Sequence, residues 1–385
     1  MDIGFTEEQE MLRESARQFL ESECSMSYVR KMMENHTGYS EAQWKKMADL
    51  GWMGLILPEQ YGGSGLSMVD LIVVLEEMGS VLMPGPFFAT VLLGALAIDL
   101  GGSAAQKQRY LPAIAAGNLK VTLAQLEKSG RWDADGIELP ATKHGAGYVL
   151  SGSKLFVHDA HNVGLLIVPA RTTGSGATGI TLFLVDPHQP GVQITLLNTM
   201  DQTRKLCAVS LTSVEVGGDA VLDMPDHGWQ LLERIVDCAK VGLCAEMCGG
   251  AQKVLEMSVE YAKAREQFGR PIGSFQAIQH KCANMLMQTE SAKSATYYAA
   301  AALANAAQDA HLAACMAKAY CSDAYRFVTA EGIQIHGGIG VTWEHDMHLY
   351  FKRAKGSEVT FGDATWNREL VAQIVLDQPP DSSIP

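Results

Sequence analysis

At 385 residues the chain exceeds one ordinary hydrophobic core, so two or three domains are expected, and an apolar fraction of 47% marks a folded protein. A net charge of -13 argues against sequence-independent binding to nucleic acid or anionic lipid, which needs a basic surface, but is compatible with a local basic pocket for a phosphorylated ligand. No apolar run approaches the roughly 18 residues of a membrane span, and the opening MDIGFTEEQE has neither a positive n-region nor an Arg-rich transit pattern, so the expected location is the cytoplasm.

From Phe5 to about Leu111 the pattern is helical. Leu12, Ala16, Phe19 and Leu20 recur at helical spacing, Trp44 to Leu57 repeats it, and Val69 to Met78 predicts a third helix. The glycines of PEQYGGSGLS place a tight loop between the second and third, with Ser67 suited to cap the third helix. From about Val121 the texture changes to short β-branched runs, YVLSGSKLFV, VGLLIVPAR, GITLFLVD, GVQITLL and AVSLTSVEV, separated by Gly, Pro, Asp and Asn. They predict antiparallel strands closed by Gly217 to Gly228. A very long helix over Trp229 to Ala264 is followed by helices over Phe275 to Ala307 and Asp309 to Ile333 and by a last one starting near Ala364. Alanine on several faces suggests a bundle that also packs against other subunits. The expected architecture is thus α+β and multidomain: an N-terminal α-helical domain (1–120), a middle antiparallel β-domain (121–227), a C-terminal four-helix bundle (228–376) and a disordered tail (377–385).

The eight cysteines fall mostly in helical segments without CxxC pairs, and Cys244 and Cys248 have no nearby histidine to complete a metal set. Reduced cysteines serving as small core residues are expected, and no metal site. The familiar nucleotide and hydrolase signatures, GxGxxG after a strand, GxxxxGK[ST], GxSxG and HExxH, do not occur.

Two segments stand out. In AREQFGRPIGSFQAIQHKCANM a helix ends at a turn containing Phe268, Gly269, Pro271 and Gly273. Arg265 there offers a fork suited to a pyrophosphate, and the next helix offers free backbone N–H groups near Gln276. A plain helical corner with an exposed arginine is the alternative. In AEGIQIHGGIGVTWEHDMHLYFKRAK the glycines Gly337, Gly338 and Gly340 interrupt a helical pattern, letting backbone approach a ligand beside the amide of Gln334, or simply making a turn.

Taken in order, LGWMGLILPEQYGGSGLSMVDLIVVLEEMG, YLPAIAAGNLKVTLA, REQFGRPIGSFQAIQ, QIHGGIGVTWEHDMHLYFKRAK and NREL resemble the acyl-CoA dehydrogenase family over Phe5 to about Val375. The resemblance implies an FAD-dependent oxidoreductase that dehydrogenates an acyl-CoA in a β-oxidation type of step, assembles as a tetramer and passes electrons to electron-transferring flavoprotein. It places Arg265, Gln267, Phe268, Phe275 and Gln276 at the family's FAD contacts, largely toward a neighbouring subunit's cofactor. Gln334, Gly337 and Gly338 fall at the diphosphate loop, and Phe156 lies against the flavin ring.

The same resemblance marks departures. The position of the family's usual catalytic glutamate holds Phe361, and that of the minority base on the long helix holds Ala239, followed by Lys240. Glu246, two turns or about 10 Å further along that helix, and Asp363, better suited to cap the final helix, are the weak substitutes. Asp363 also replaces a threonine that contacts FAD. The family's Thr-Glu-Pro-Gly-Ala-Gly-Ser-Asp loop becomes the run from Leu126 to Asp133, and the hydroxyl residue at flavin N5 becomes His158. Three expectations result: a base-deficient subunit of a homo- or heterotetramer paired with a related chain, which fits best; a stand-alone dehydrogenase with an unorthodox base; or a non-catalytic flavin or CoA-ester scaffold.

Overall fold

The computed structural model describes residues 4–376, so the tail 377–385 lies outside the described residues. Six helices come first: α1 (Glu7–Glu23), α2 (Met26–Glu34), α3 (Glu41–Asp49), α4 (Met68–Ser80), α5 (Leu96–Gly101) and α6 (Ala104–Ala115). The first is started by a reciprocal capping box: Thr6 Oγ1 accepts from the Gln9 amide at 3.3 Å while Gln9 Oε1 accepts from the Thr6 amide at 3.0 Å. The continuous helix expected over Trp44–Leu57 is cut short. Gly51 takes φ +78°, α3 stops at Asp49, and a single 3₁₀ turn comes next at Trp52–Gly54. A π-helix over Ala89–Ala95, which helical periodicity does not signal, leads into α5.

Eight strands come after the helices: β1 (Val121–Leu123), β2 (Ala141–His144), β3 (Gly147–His158), β4 (Leu165–Arg171), β5 (Ile180–Val185), β6 (Val192–Leu197), β7 (Leu206–Val216) and β8 (Val221–Leu222). They form two sheets ordered β1-β4-β5-β8 and β2-β3-β7-β6. Every pair is antiparallel except β1–β4, which is parallel. Both faces of β4 and β5 are covered, so nearly every residue of each is buried and most are apolar, whereas β6 alternates between half-buried and exposed positions from Val192 to Leu196. Leu150, Val157, Leu166, Phe183 and Val209 share one core, where each fully buried side chain of this size contributes about 1.5–3 kcal/mol.

The remaining elements are α7 (Gly228–Ala264), the short strands β9 (Glu266–Gln267) and β10 (Arg270–Pro271), α8 (Gln276–Ala304), α9 (Ala310–His336), α10 (Met347–Val359) and α11 (Ala364–Leu376). α8, α10 and α11 pack on α9, and with α7 they make the C-terminal bundle. Packing divides the chain into two compact units. One contains residues up to Val29, Met68–Met83 and those from Lys240 onward; the other contains Arg30–Ser67 and Pro84–Ala239. Within the first, α4 and α7 cross through glycine. A Cβ on Gly79 would lie 2.0 Å from the carbonyl oxygen of Glu246, and one on Gly249 1.8 Å from that of Glu76, so only hydrogen fits at either position. Tyr297 on α8 donates to Glu76 at 2.6 Å and Arg17 on α1 to Glu77 at 2.9 Å, fixing both helices to α4.

Cys24, Cys207, Cys244, Cys248, Cys315 and Cys321 are buried, with Cys238 and Cys282 half-buried. Burial pushes the thiols of Cys24 and Cys238 up to about 12, which leaves them poor nucleophiles. No described helix is long and apolar enough to cross a membrane.

Candidate active site

Three helix ends of the first unit build one cluster of candidate residues. α7 ends at Ala264, and the Arg265 amide closes its last turn on the carbonyl of Tyr261 at 2.8 Å. β9 and β10 then form a minimal hairpin in which Gln267 pairs with Arg270, so Phe268 and Gly269 are its two turn residues, at φ +57° and +76°. The turn holds Phe268 in the open, 91% exposed, its ring edge-on to Phe275 at 6.0 Å. The Arg270 guanidinium covers the Phe275 ring at 4.2 Å. α8 starts at Gln276 with Phe275 in the cap position and no side chain capping its first amides.

α9 ends beside this hairpin. His336 stacks on Tyr261 with ring centroids 4.4 Å apart and donates from Nδ1 to the Gly332 carbonyl at 2.7 Å. The stack ties the last turn of α9 to the last turn of α7. Arg265 and the glycine turn, which begins one residue after His336, therefore project from the same end of the bundle. Gly337 takes φ +63°, and Cβ atoms on Gly337 or Gly338 would meet nothing within 4 Å. Arg265, Gln276 and Gln334 are all exposed. A guanidinium fork, two amide side chains, an uncapped helix N-terminus and an open glycine turn make a donor set for an anionic, diphosphate-bearing ligand. Arg265 and the Gly337 turn thus lie at one end of the bundle, and the chemistry of these donors suits a diphosphate-bearing ligand.

The second unit carries Phe156, His158 and the loop from Leu126 to Asp133. β3 loses register on β7 between Lys154 and Val157, and Phe156 at the break takes φ +52° and is 50% exposed. His158 is buried at the end of β3, with its ring 5.8 Å from Phe88. A buried ion pair pins the loop: Lys154 Nζ donates to Glu127 at 2.6 Å, and Glu127 also accepts the amides of Glu138 and Leu139 at 3.1 Å. Desolvation lowers the Lys154 ammonium to about 8. Asp133 caps the 3₁₀ turn after it through Gly136 at 3.1 Å. Pattern reading missed this pair, although a lysine inside the apolar run YVLSGSKLFV is its sequence signal.

The four base-related positions are each accounted for. Ala239 is fully buried on α7. Glu246 is buried and ion-paired with Arg353 at 3.9 Å. Asp363 accepts the Trp366 amide at 2.8 Å, the N-cap of α11. Phe361 is 4% exposed and sits at φ +58° ahead of Gly362 at φ +85°, in a turn between α10 and α11. Lys318 on α9, wholly buried, donates to the carbonyls of Glu358 at 3.0 Å and Gly362 at 2.8 Å and to Ser322 Oγ at 2.8 Å. Asn367 adds donations to the carbonyls of Phe361, Gly362 and Asp363 at 3.3, 3.0 and 3.0 Å. A left-handed aromatic costs on the order of 1–3 kcal/mol and persists only where its surroundings overdetermine it. Lys318 and Asn367 are those surroundings.

Family models described as the N-terminal, middle and C-terminal domains of acyl-CoA dehydrogenase match residues 6–118, 122–214 and 226–376. The chain is 36% identical to "Acyl-CoA dehydrogenase IpdE2" of Mycobacterium tuberculosis, across 91% of this chain and 92% of that one. Its fold is similar to butyryl-CoA dehydrogenase from Megasphaera elsdenii (TM-score 0.91, 28% identity, 98% of this chain and 100% of that one). It is similar also to a chain of the ChsE4-ChsE5 complex from Mycobacterium tuberculosis (TM-score 0.90, 26% identity, 99% and 100%).

Proposed function

The chain belongs to the acyl-CoA dehydrogenase family, and from that membership we propose that it is the base-deficient subunit of a hetero-oligomeric, FAD-dependent enzyme that α,β-dehydrogenates a CoA thioester. The observation that carries the reading is the Phe361 turn. Its strained backbone is clamped by Lys318 and Asn367 as a catalytic turn would be, yet it bears no proton acceptor. The two candidate carboxylates are engaged, Asp363 as a helix cap and Glu246 with Arg353, which weighs against a stand-alone enzyme with a displaced base. Similarity to a chain from a complex of two differently named proteins supports pairing with a related, base-bearing chain.

In this reading Arg265, Gln276 and Gln334 hold the FAD diphosphate, while Gln267, Phe268 and Phe275 flank the cofactor across a subunit contact. Phe156 and His158 face the flavin ring. Bound FAD supplies the hydride acceptor. This chain's own residues bind and orient it, and electrons leave to electron-transferring flavoprotein from a tetramer. An exposed phenylalanine at the tip of a two-residue hairpin is poorly used in a lone subunit and well used against a neighbour.

Arg265→Ala tests the assignment. In the complex co-expressed with a related chain, loss of a charge-assisted bond to phosphate, about 1.5–3 kcal/mol, is expected to weaken FAD retention by roughly 10–100-fold, read as flavin absorbance after gel filtration. Full occupancy in an Arg265→Ala, Gln334→Ala double variant would remove these residues from the FAD site.

A further inference from the structure

A cleft of about 390 Å³ opens in the first unit where α1, α4, α7 and α8 meet, within the size range of small-molecule sites. Four cations and four carboxylates line it, so its walls are formally neutral. Most of these charges answer one another. Arg17 on α1 clasps both oxygens of Glu77 on α4, at 3.2 and 2.9 Å. Glu76 accepts from Tyr297 at 2.6 Å, with Arg13 and Lys293 at 3.6 and 3.9 Å. Lys293 donates to Gln252 Oε1 at 2.9 Å, and Gln252 donates in turn to Glu256 Oε1 at 2.8 Å.

Three charges are left over. Lys253 on α7, half-buried, makes no hydrogen bond or ion pair among the described residues. Glu256 follows it by three residues, a spacing at which opposite charges on a helix ordinarily pair, yet the bond Glu256 makes is to Gln252 through one oxygen, and the other oxygen stays open. Glu21 on α1 is exposed and joins no ion pair among the described residues. The cleft therefore presents one unengaged ammonium and two open carboxylates, with Leu20 and Val81 supplying apolar wall between them and the interior.

We propose that this cleft binds a free α-amino acid with a small apolar side chain, its carboxylate held by Lys253 and its ammonium by Glu256 and Glu21. The charge balance selects the zwitterion. A simple carboxylate would gain Lys253 but meet two carboxylates, and a simple amine would gain those but meet Lys253. Only a ligand carrying both charges keeps the neutral lining neutral and gives each open group a partner. Leu20 and Val81 favour an apolar side chain, since a polar one set against them would lose its hydrogen bonds to water. The site does not depend on the acyl-CoA reading, because none of its residues belongs to the FAD or base positions.

The test is calorimetric titration of the full chain with alanine, valine and leucine, then with two one-charge analogues of the tightest binder: the acid lacking its amine and the amine lacking its carboxylate, isovalerate and isobutylamine in the case of valine. At least one amino acid should bind, and each analogue should bind about tenfold or more weakly, the loss of one charge-assisted bond. Lys253→Met, which keeps the stem and removes the ammonium, should weaken amino-acid binding about tenfold. It should leave the melting temperature unchanged, because that ammonium has no partner to lose. Glu256→Gln, which keeps an acceptor for Gln252, should weaken binding in the same way. Absence of binding by all three amino acids, an analogue that binds as tightly as its parent, or undiminished affinity in both variants would overturn the proposal.

Discussion

Phe361→Glu is expected to give this chain acyl-CoA-dependent reduction of its own flavin, at least about 100-fold above the unmodified protein, since a positioned general base contributes 10²–10⁴-fold. The backbone needs no rebuilding. Residue 361 already sits at φ +58°, and the groups that hold it there, Lys318 and Asn367, grip carbonyls rather than the side chain. The substitution removes a nearly buried phenyl ring and sets a carboxylate in the same place, so a lower melting temperature should accompany the gain. Burial would also raise that carboxyl's affinity for protons, so the gained rate should increase with pH. Anaerobic mixing with a range of acyl-CoA thioesters, with flavin absorbance as the readout, is the measurement. No bleaching with any of them would mean that the surroundings of the flavin, and not the missing base alone, have changed.

The second large effect is structural and bears on the same turn. Lys318→Met should destabilise the protein by about 3 kcal/mol. It strips the ammonium from two backbone carbonyls and Ser322 in a region closed to water, and hydrogen bonds to a charged group contribute about 1.5–3 kcal/mol each. Desolvation holds the Lys318 ammonium down at about 8, so its partners hold it against a real cost of burial. Thermal unfolding measures the loss. Introduced together with Phe361→Glu, it should also abolish the gained flavin reduction, because the new carboxylate would no longer be aimed. Retention of that gain in the double variant would show that the turn holds its shape without Lys318.

Much of this was readable in the sequence because it depends on local pattern. The long helices track their apolar spacing, the strands their β-branched runs, and the residues proposed to hold FAD fall in contiguous motifs such as REQFGRPIGSFQAIQ. What stayed hidden depends on partners distant in the chain. Lys318 sits in CMAKAYC at a position where helical spacing calls for a small apolar residue, and only the fold brings the carbonyls of Glu358 and Gly362 to it. Glu246 looks available on its helix until Arg353 is found opposite, more than a hundred residues later. The π-helix has no periodicity signal distinct from an ordinary helix, and the parallel β1–β4 pairing leaves no trace in strands that short. Asp363 is the reverse case: a cap is a local device, and the sequence alone favoured that role.

The most direct measurement compares flavin content and acyl-CoA oxidation in the chain purified alone and co-purified with a related, glutamate-bearing acyl-CoA dehydrogenase chain. The expected result is a mixed tetramer with bound FAD that oxidises an acyl-CoA, and a homomer that does not, whatever flavin it retains. A homomer fully loaded with FAD that turns over an acyl-CoA by itself would contradict the paired-subunit reading and return the search to a base within this chain.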